Sequence, residues 1–163
     1  MEKIDYIEIN IAEQRLRLWR NAAIVFDVAV STAAKGAGEI RGSNCTPRGW
    51  HRIRVKIGNG CAPDTVFVGR RATGELYNAA LRRAFPQRDW ILTRILWLSG
   101  LEPNKNRYGE VDTLRRFIYI HGSPDDMEMG KPGSHGCVRM RNADIIRLYD
   151  MVDVGERVLI KEE

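Results

Sequence analysis

Residues 117–142 read FIYIHGSPDDMEMGKPGSHGCVRMRN, and the interpretation of the whole chain turns on this stretch. It opens on four apolar residues, Phe117, Ile118, Tyr119 and Ile120, a run that predicts a buried strand delivering His121 to its end. Pro124, Gly130, Pro132 and Gly133 mark a loop, which closes on Ser134, His135, Gly136 and Cys137. Val138 to Arg141 then forms a second apolar and basic segment, so the stretch reads as a hairpin-like return. Two of the chain's three histidines fall here, beside a cysteine. A thiol is a weak nucleophile until its pKa falls or a base takes its proton. A cysteine folded beside a histidine is therefore a candidate nucleophile.

His121, twelve further residues (122–133) and then SHGCVR at 134–139 resemble the signature of the L,D-transpeptidase family. The similarity runs from about Ile7 to Ile160, through IEINIAEQRLRLW at 7–19, STAAKG at 31–36 and TPRGWH at 46–51. The spacer before Ser134 is short for the family, which bears on the size of the loop over the site. The resemblance implies a mainly β, single-domain β-sandwich of L,D-transpeptidase type over residues 1–163, with two or three short helices. It also implies that Cys137 is the nucleophile, that His121 takes its proton, that the Gly122 carbonyl orients His121, and that His135 lines the site. On that assignment Cys137 is expected to be alkylated ahead of Cys45 and Cys61, and to be acylated by carbapenems. Backbone N–H groups around Gly136 and Cys137 are candidate oxyanion donors, because glycine lets the chain approach closely. Arg139 suits a substrate carboxylate by bidentate pairing, and Ser134 is placed with it as a substrate-binding residue. The implied substrate is a peptidoglycan stem peptide or muropeptide, cut before a terminal D-alanine, with no cofactor, no nucleic acid and no membrane involved.

Bulk properties agree with such an enzyme. A chain of 163 residues suits one domain, and 44% hydrophobic with 29% charged residues is ordinary globular composition. No run approaches the roughly 20 apolar residues of a membrane span. The opening MEKIDYIEINIAEQRLRLWR alternates polar with apolar residues and does not read as a secretory signal, which sets the expectation of a cytoplasmic address. Three cysteines without CxxC spacing fit a reducing compartment; Cys45 and Cys61 read as small, partly buried loop residues. In the cytosol water is the abundant acceptor, so the expected reaction is L,D-carboxypeptidase trimming of tetrapeptides in cell-wall recycling, with cross-linking as the alternative.

Two other function classes were weighed. His121, His135 and Cys137 as three zinc ligands would leave an open position, but His135 and Cys137 are only two apart and no other ligand motif accompanies them. A net charge of +5 (26 minus 21) raises nucleic-acid binding, yet the basic residues are scattered and no nucleic-acid motif appears.

The remaining pattern predicts strands at 7–11, 16–18 and 24–30, the last after a turn at Asn21, and then a long loop over 31–49 bordering a site. A strand follows at 50–57, with Arg52, Arg54 and Lys56 on a solvated face. Further expectations are a short strand at 65–68, a turn over 69–74, an amphipathic helix over 75–85 and a strand over 90–98. Asn142 is read as the cap of a helix that buries Ile145, Leu148, Tyr149 and Val152, before a last strand at 157–160.

Overall fold

The computed structural model describes residues 4–163. Strands β1 (Tyr6–Asn10), β2 (Arg15–Arg20) and β3 (Ala23–Ala29) form an antiparallel meander. In a strand alternate side chains share a face, so Ile7 and Ile9 of β1 turn inward together with Leu16 and Leu18 of β2, all fully buried. β4 (Gly49–Ile57), β5 (Thr65–Val68) and β6 (Arg71–Leu76) follow, then the helix α1 (Ala79–Ala84) and the ten-residue strand β7 (Ile91–Gly100). After β8 (Tyr119–Ser123) and β9 (Val138–Arg141), α2 (Asn142–Met151) leads into β10 (Arg157–Lys161). The mainly β expectation with two helices holds. The ten strands belong to one curled sheet in the order β3-β2-β1-β10-β4-β7-β5-β6, with β8 on β7 and β9 on β8.

β7 positions the site because it is buried on both faces. Leu96 and Leu98 enter the main core with Ile53, Ile120 and Met140. Ile95 faces a smaller cluster with Phe67 and Tyr119, against which Cys137 packs. α2 lies over β7, β8 and β9 and buries Ile145, Leu148 and Tyr149, as its periodicity predicts. No helix of the described residues is long and apolar enough to cross a membrane.

Several local expectations are corrected. The 117–120 strand begins only at Tyr119, and His121 lies inside β8 instead of at its end. Phe117 has a left-handed φ of 57° and is 49% exposed, which keeps it out of the ladder. The hairpin-like return is a parallel pairing of β8 with β9, His121 opposite Arg139. A 14-residue connection, 124–137, carries the chain back to the start of β8. The 69–74 turn shrinks to Gly69 and Arg70, and residues 71–76 pair with β5 as an edge strand. Helix α1 accordingly starts later than expected, where Asn78 accepts a bond from the Leu81 N–H. Asn142 does not cap α2. Its side chain is buried, accepting from Thr93 Oγ1 at 2.6 Å and donating to Asp64 at 2.9 Å, so it ties the start of the helix to β7. Arg52 and Arg54 are exposed as expected, but a bulge follows at 53–55 and Lys56 Nζ turns to the carbonyls of Tyr149 and Val152, each at 2.7 Å. There it satisfies the end of α2.

His51, in β4, is wholly buried, with Nδ1 3.0 Å from the Gly49 carbonyl and Nε2 3.0 Å from Thr113 Oγ1. Burial pushes its pKa down to about 4. The unfolded imidazole titrates near 6.5, so between pH 6.5 and 4 the unfolded chain holds more protons and stability falls with pH, by about 3 kcal/mol in all. Replacing His51 with Gln should flatten this fall in a series of urea midpoints taken from pH 7 to 4. An unchanged slope would show that His51 is not responsible.

Candidate active site

Strand alternation assembles the site. On β8, Ile120 points into the main core while Tyr119 and His121 share the other face; on β9, Val138 and Met140 point inward and Arg139 joins His121. These residues wall a cavity of about 310 Å³ together with Cys137, His135 and Asp89.

Cys137 sits at the end of the 124–137 connection. Its Sγ accepts from the Tyr119 N–H at 3.3 Å and faces the Phe117 carbonyl at 3.4 Å. The protein packed around it pushes the thiol up to about 12, an effect reinforced by Asp89 and opposed by the Tyr119 N–H, Arg139 and Arg116. His121 is fully buried. Its Nδ1 lies 2.6 Å from the Gly122 carbonyl, which can only accept, so the proton is on Nδ1 and Nε2 is left as a base. That Nε2 has no hydrogen-bond partner among the described residues. Burial lowers the His121 pKa, with Asp89 acting in the opposite sense. The two shifts together keep the resting pair neutral, thiol beside imidazole.

Alkylation of Cys137 ahead of Cys45 and Cys61 would need a lowered thiol pKa, and burial at this position acts in the opposite direction. Such a thiol is predominantly protonated at pH 7. Iodoacetamide, which brings no base of its own and makes no specific contacts, should therefore alkylate Cys137 no faster than Cys45 or Cys61 at pH 7. Peptide mapping after timed labelling measures this, and preferential labelling of Cys137 would refute the neutral pair.

The glycines flanking these groups are required by close approach. A Cβ on Gly122 would lie 2.5 Å from the Leu92 carbonyl and 2.6 Å from Asn142 Oδ1. Gly136 has φ +129°, and a Cβ there would press on the Cys45 carbonyl and Ile118 at 3.2 Å. Its carbonyl accepts from Thr46 Oγ1 at 2.9 Å, so the 31–49 loop does border the site, also bridging Ser31 to Arg139 and Ala33 to Ser134.

The other sequence-derived residues, Ser134, Arg139 and His135, also line this cavity. Ser134 is buried, and its hydroxyl donates to the Cys137 carbonyl while accepting from the Gly136 N–H at 3.2 Å. It shapes the nucleophile loop, and it occupies the Gly136 N–H that was expected to hold an oxyanion. Arg139 is buried and already matched, with Nη2 3.1 Å from Asp89 and Nη1 donating to the Gly133 carbonyl at 2.9 Å. His135 stands at the rim, its side chain 70% exposed and Nδ1 3.9 Å from Asp89. Among the described residues no group of three or more His, Cys, Asp or Glu side chains is arranged to hold a metal ion, so the zinc reading finds no geometric support. Sequence reasoning missed Asp89 and Arg70, both in the cavity wall. Neither lies in a motif, and the cavity alone brings them to the sulfur.

The sequence model of the L,D-transpeptidase catalytic domain matches residues 4–160. The chain belongs to that family. It is 27% identical to the Salmonella typhimurium protein described as probable L,D-transpeptidase ErfK/SrfK, over 94% of this chain and 43% of that one. Against Escherichia coli K12 probable L,D-transpeptidase YbiS it is 46% identical over 50 residues, 31% of this chain and 16% of the relative. The chain thus spans less than half the length of these relatives. Its fold is that of the catalytic domain of the Enterococcus faecium L,D-transpeptidase acylated by ertapenem, with a TM-score of 0.58 at 17% identity and 99% of each chain covered.

Proposed function

We propose that this L,D-transpeptidase-family protein is a cysteine-dependent L,D-carboxypeptidase, which removes the terminal D-alanine from peptidoglycan-derived tetrapeptides through a thioester. The observation that carries this reading is the buried, unpartnered His121 Nε2 in the wall of the cavity that holds the Cys137 sulfur. A buried nitrogen without a partner is costly unless something arrives to use it. Here the arriving group is the thiol proton. Sγ attacks the carbonyl carbon that precedes D-alanine as its proton passes to Nε2, and the Cys137 N–H is the donor we assign to the oxyanion. The C–N bond then breaks, Nε2 returns the proton to the leaving amine, and the acyl group remains on sulfur. Water attacks the thioester with its proton going to Nε2, the C–S bond breaks, and the thiolate takes that proton back.

Cross-linking by the same acyl-enzyme is the alternative, and the charge beside the site bears on the choice. A further cavity of about 260 Å³ meets the first at Phe117 and His135, and we assign the approach of the acceptor to it. Its walls carry Arg41, Arg115 and Arg116 and no carboxylate. A cationic amine is opposed there and water is not, which supports hydrolysis. We place the reaction in the cytoplasm, on recycled tetrapeptides. Mass spectrometry of a muropeptide tetrapeptide digest, with and without an added acceptor stem, separates the readings. Free tripeptide and D-alanine support the carboxypeptidase, and cross-linked dimer outpacing tripeptide would replace it with the transpeptidase. Fractionation of the native protein away from cytoplasmic markers would count against the address.

A further inference from the structure

Arg70 occupies a place where an arginine is conformationally expensive. The two residues between β5 and β6, Gly69 and Arg70, have φ of 55° and 65°, the pair of left-handed conformations that a tight type I′ turn demands. Asn and Gly suit such a position; a long side chain there is uncommon. The side chain nevertheless leaves the turn and lies across aromatic rings of the active-site wall. Its guanidinium carbon is 4.8 Å from the Trp97 ring centre and 4.9 Å from that of Phe117. Nη1 donates to the Tyr119 hydroxyl at 3.0 Å. Burial raises the Tyr119 pKa, so that phenol is neutral and leaves the charge of Arg70 unbalanced.

The cavity therefore holds two arginines in unequal states. Arg139 is matched by Asp89. Arg70 has no carboxylate within ion-pair distance among the described residues, is only partly exposed, and keeps four of its five N–H donors unspent on the phenol. Stacking holds the planar fork in one orientation before any ligand binds, which reduces the ordering that recognition requires. Tyr119 links this cation to the nucleophile. Its backbone N–H touches the Cys137 sulfur and its hydroxyl touches Arg70, so one tyrosine side chain separates them. When a peptide carbonyl lies on the sulfur, the carboxylate of a C-terminal residue beyond it enters the cavity whose wall carries both Cys137 and Arg70.

We propose that Arg70 is the clamp for the free C-terminal carboxylate of the departing residue, and so a specificity-determining residue that restricts the enzyme to cutting one residue from a chain end. This rests on the acyl-transfer reading of the site and adds to it the group that the substrate must carry. It also assigns the carboxylate to Arg70 in place of Arg139, which Asp89 already occupies.

The test compares two synthetic tetrapeptides that differ only in ending as D-alanine or as D-alaninamide. Arg70→Asn removes the cation at a turn position that asparagine suits, and Arg70→Lys keeps charge without the fork. For the native enzyme the free acid should be preferred over the amide by about 10- to 100-fold in kcat/KM, the range for a charge-assisted pair. Arg70→Asn should erase most of that preference through KM, the acid losing far more than the amide, and Arg70→Lys should restore part of it. Equal losses for both peptides would reduce Arg70 to a residue that shapes the wall, and no change for either would remove it from the site; each overturns the proposal. A binding arm separates this from the acyl-transfer reading. Calorimetry on Cys137→Ala protein, with and without Arg70→Asn, reads recognition in the absence of chemistry. Tighter binding of the acid that disappears with Arg70→Asn supports the clamp even where the native enzyme releases no D-alanine, a result that would defeat the proposed reaction alone. Equal binding of acid and amide by Cys137→Ala protein would overturn the clamp whatever the turnover.

Discussion

Replacing Cys137 with alanine will lower D-alanine release by about 10⁴-fold or more, the scale of loss seen when a catalytic nucleophile is deleted. The protein should still fold. The side chain is only half-buried at the edge of the Phe67–Ile95–Tyr119 cluster, and Sγ makes two long contacts with backbone groups that other parts of the chain already hold in place. Its removal should cost about 1 kcal/mol, equivalent to a melting shift of about 2–4 °C. Rates followed by D-alanine oxidation, beside a thermal melt of the same preparation, check both halves. Retention of more than a trace of activity would mean that the nucleophile has been misassigned.

The second large effect lies one residue beyond the base. Gly122→Ala places a methyl 2.5 Å from the Leu92 carbonyl and 2.6 Å from Asn142 Oδ1, on a strand pinned between β7 and β9. Flexible side chains accommodate such overlaps, but a ladder carbonyl moves only with its strand. The cost should be on the order of 3 kcal/mol, which lowers the melting temperature by about 6–12 °C. Activity should fall further than stability alone explains, because the Gly122 carbonyl that fixes the Nδ1 proton of His121 must shift with it. A melt within 2 °C of the native protein would show that β8 can yield at this point, contrary to the packing.

The parts of this structure legible in the sequence are those set by periodicity within a single element. Ile7, Ile9, Leu16 and Leu18 announce buried faces by alternation, and Ile145, Leu148, Tyr149 and Val152 announce a helical stripe; all eight are buried. Relations between elements were less legible. Whether β9 returns beside β8 or against it depends on where the 124–137 connection crosses, and local alternation is the same for both. Asn142 has the composition of a cap, yet its amide is used across the core by Thr93 and Asp64, residues 49 and 78 positions away. Cys137, His121, Gly122 and His135 were found as cavity or site residues because chemistry and motif coincide on them. Ser134 was legible as a cavity residue beside the nucleophile, but its two backbone partners, on the Cys137 carbonyl and the Gly136 N–H, were not. Asp89 and Arg70 had no sequence signal at all.

Strand β10 has a consequence for how the protein is made. It lies between β1 and β4, parallel to the first and antiparallel to the second, and among the described residues it is the only strand that joins the β1–β3 meander to the rest of the sheet. The meander is complete at residue 29, but its inner edge has no partner until residues 157–161 are synthesised. At usual translation speeds of 5–20 residues per second, that wait is roughly 7 to 26 s. For that time the nascent chain presents an open strand edge flanked by the apolar side chains of Ile7 and Ile9, the kind of surface on which ribosome-bound copies stick to one another. Yield during synthesis should therefore respond to translation rate and to chaperones that shield a strand edge, and stalling shortly before residue 157 should be the most damaging point in the chain.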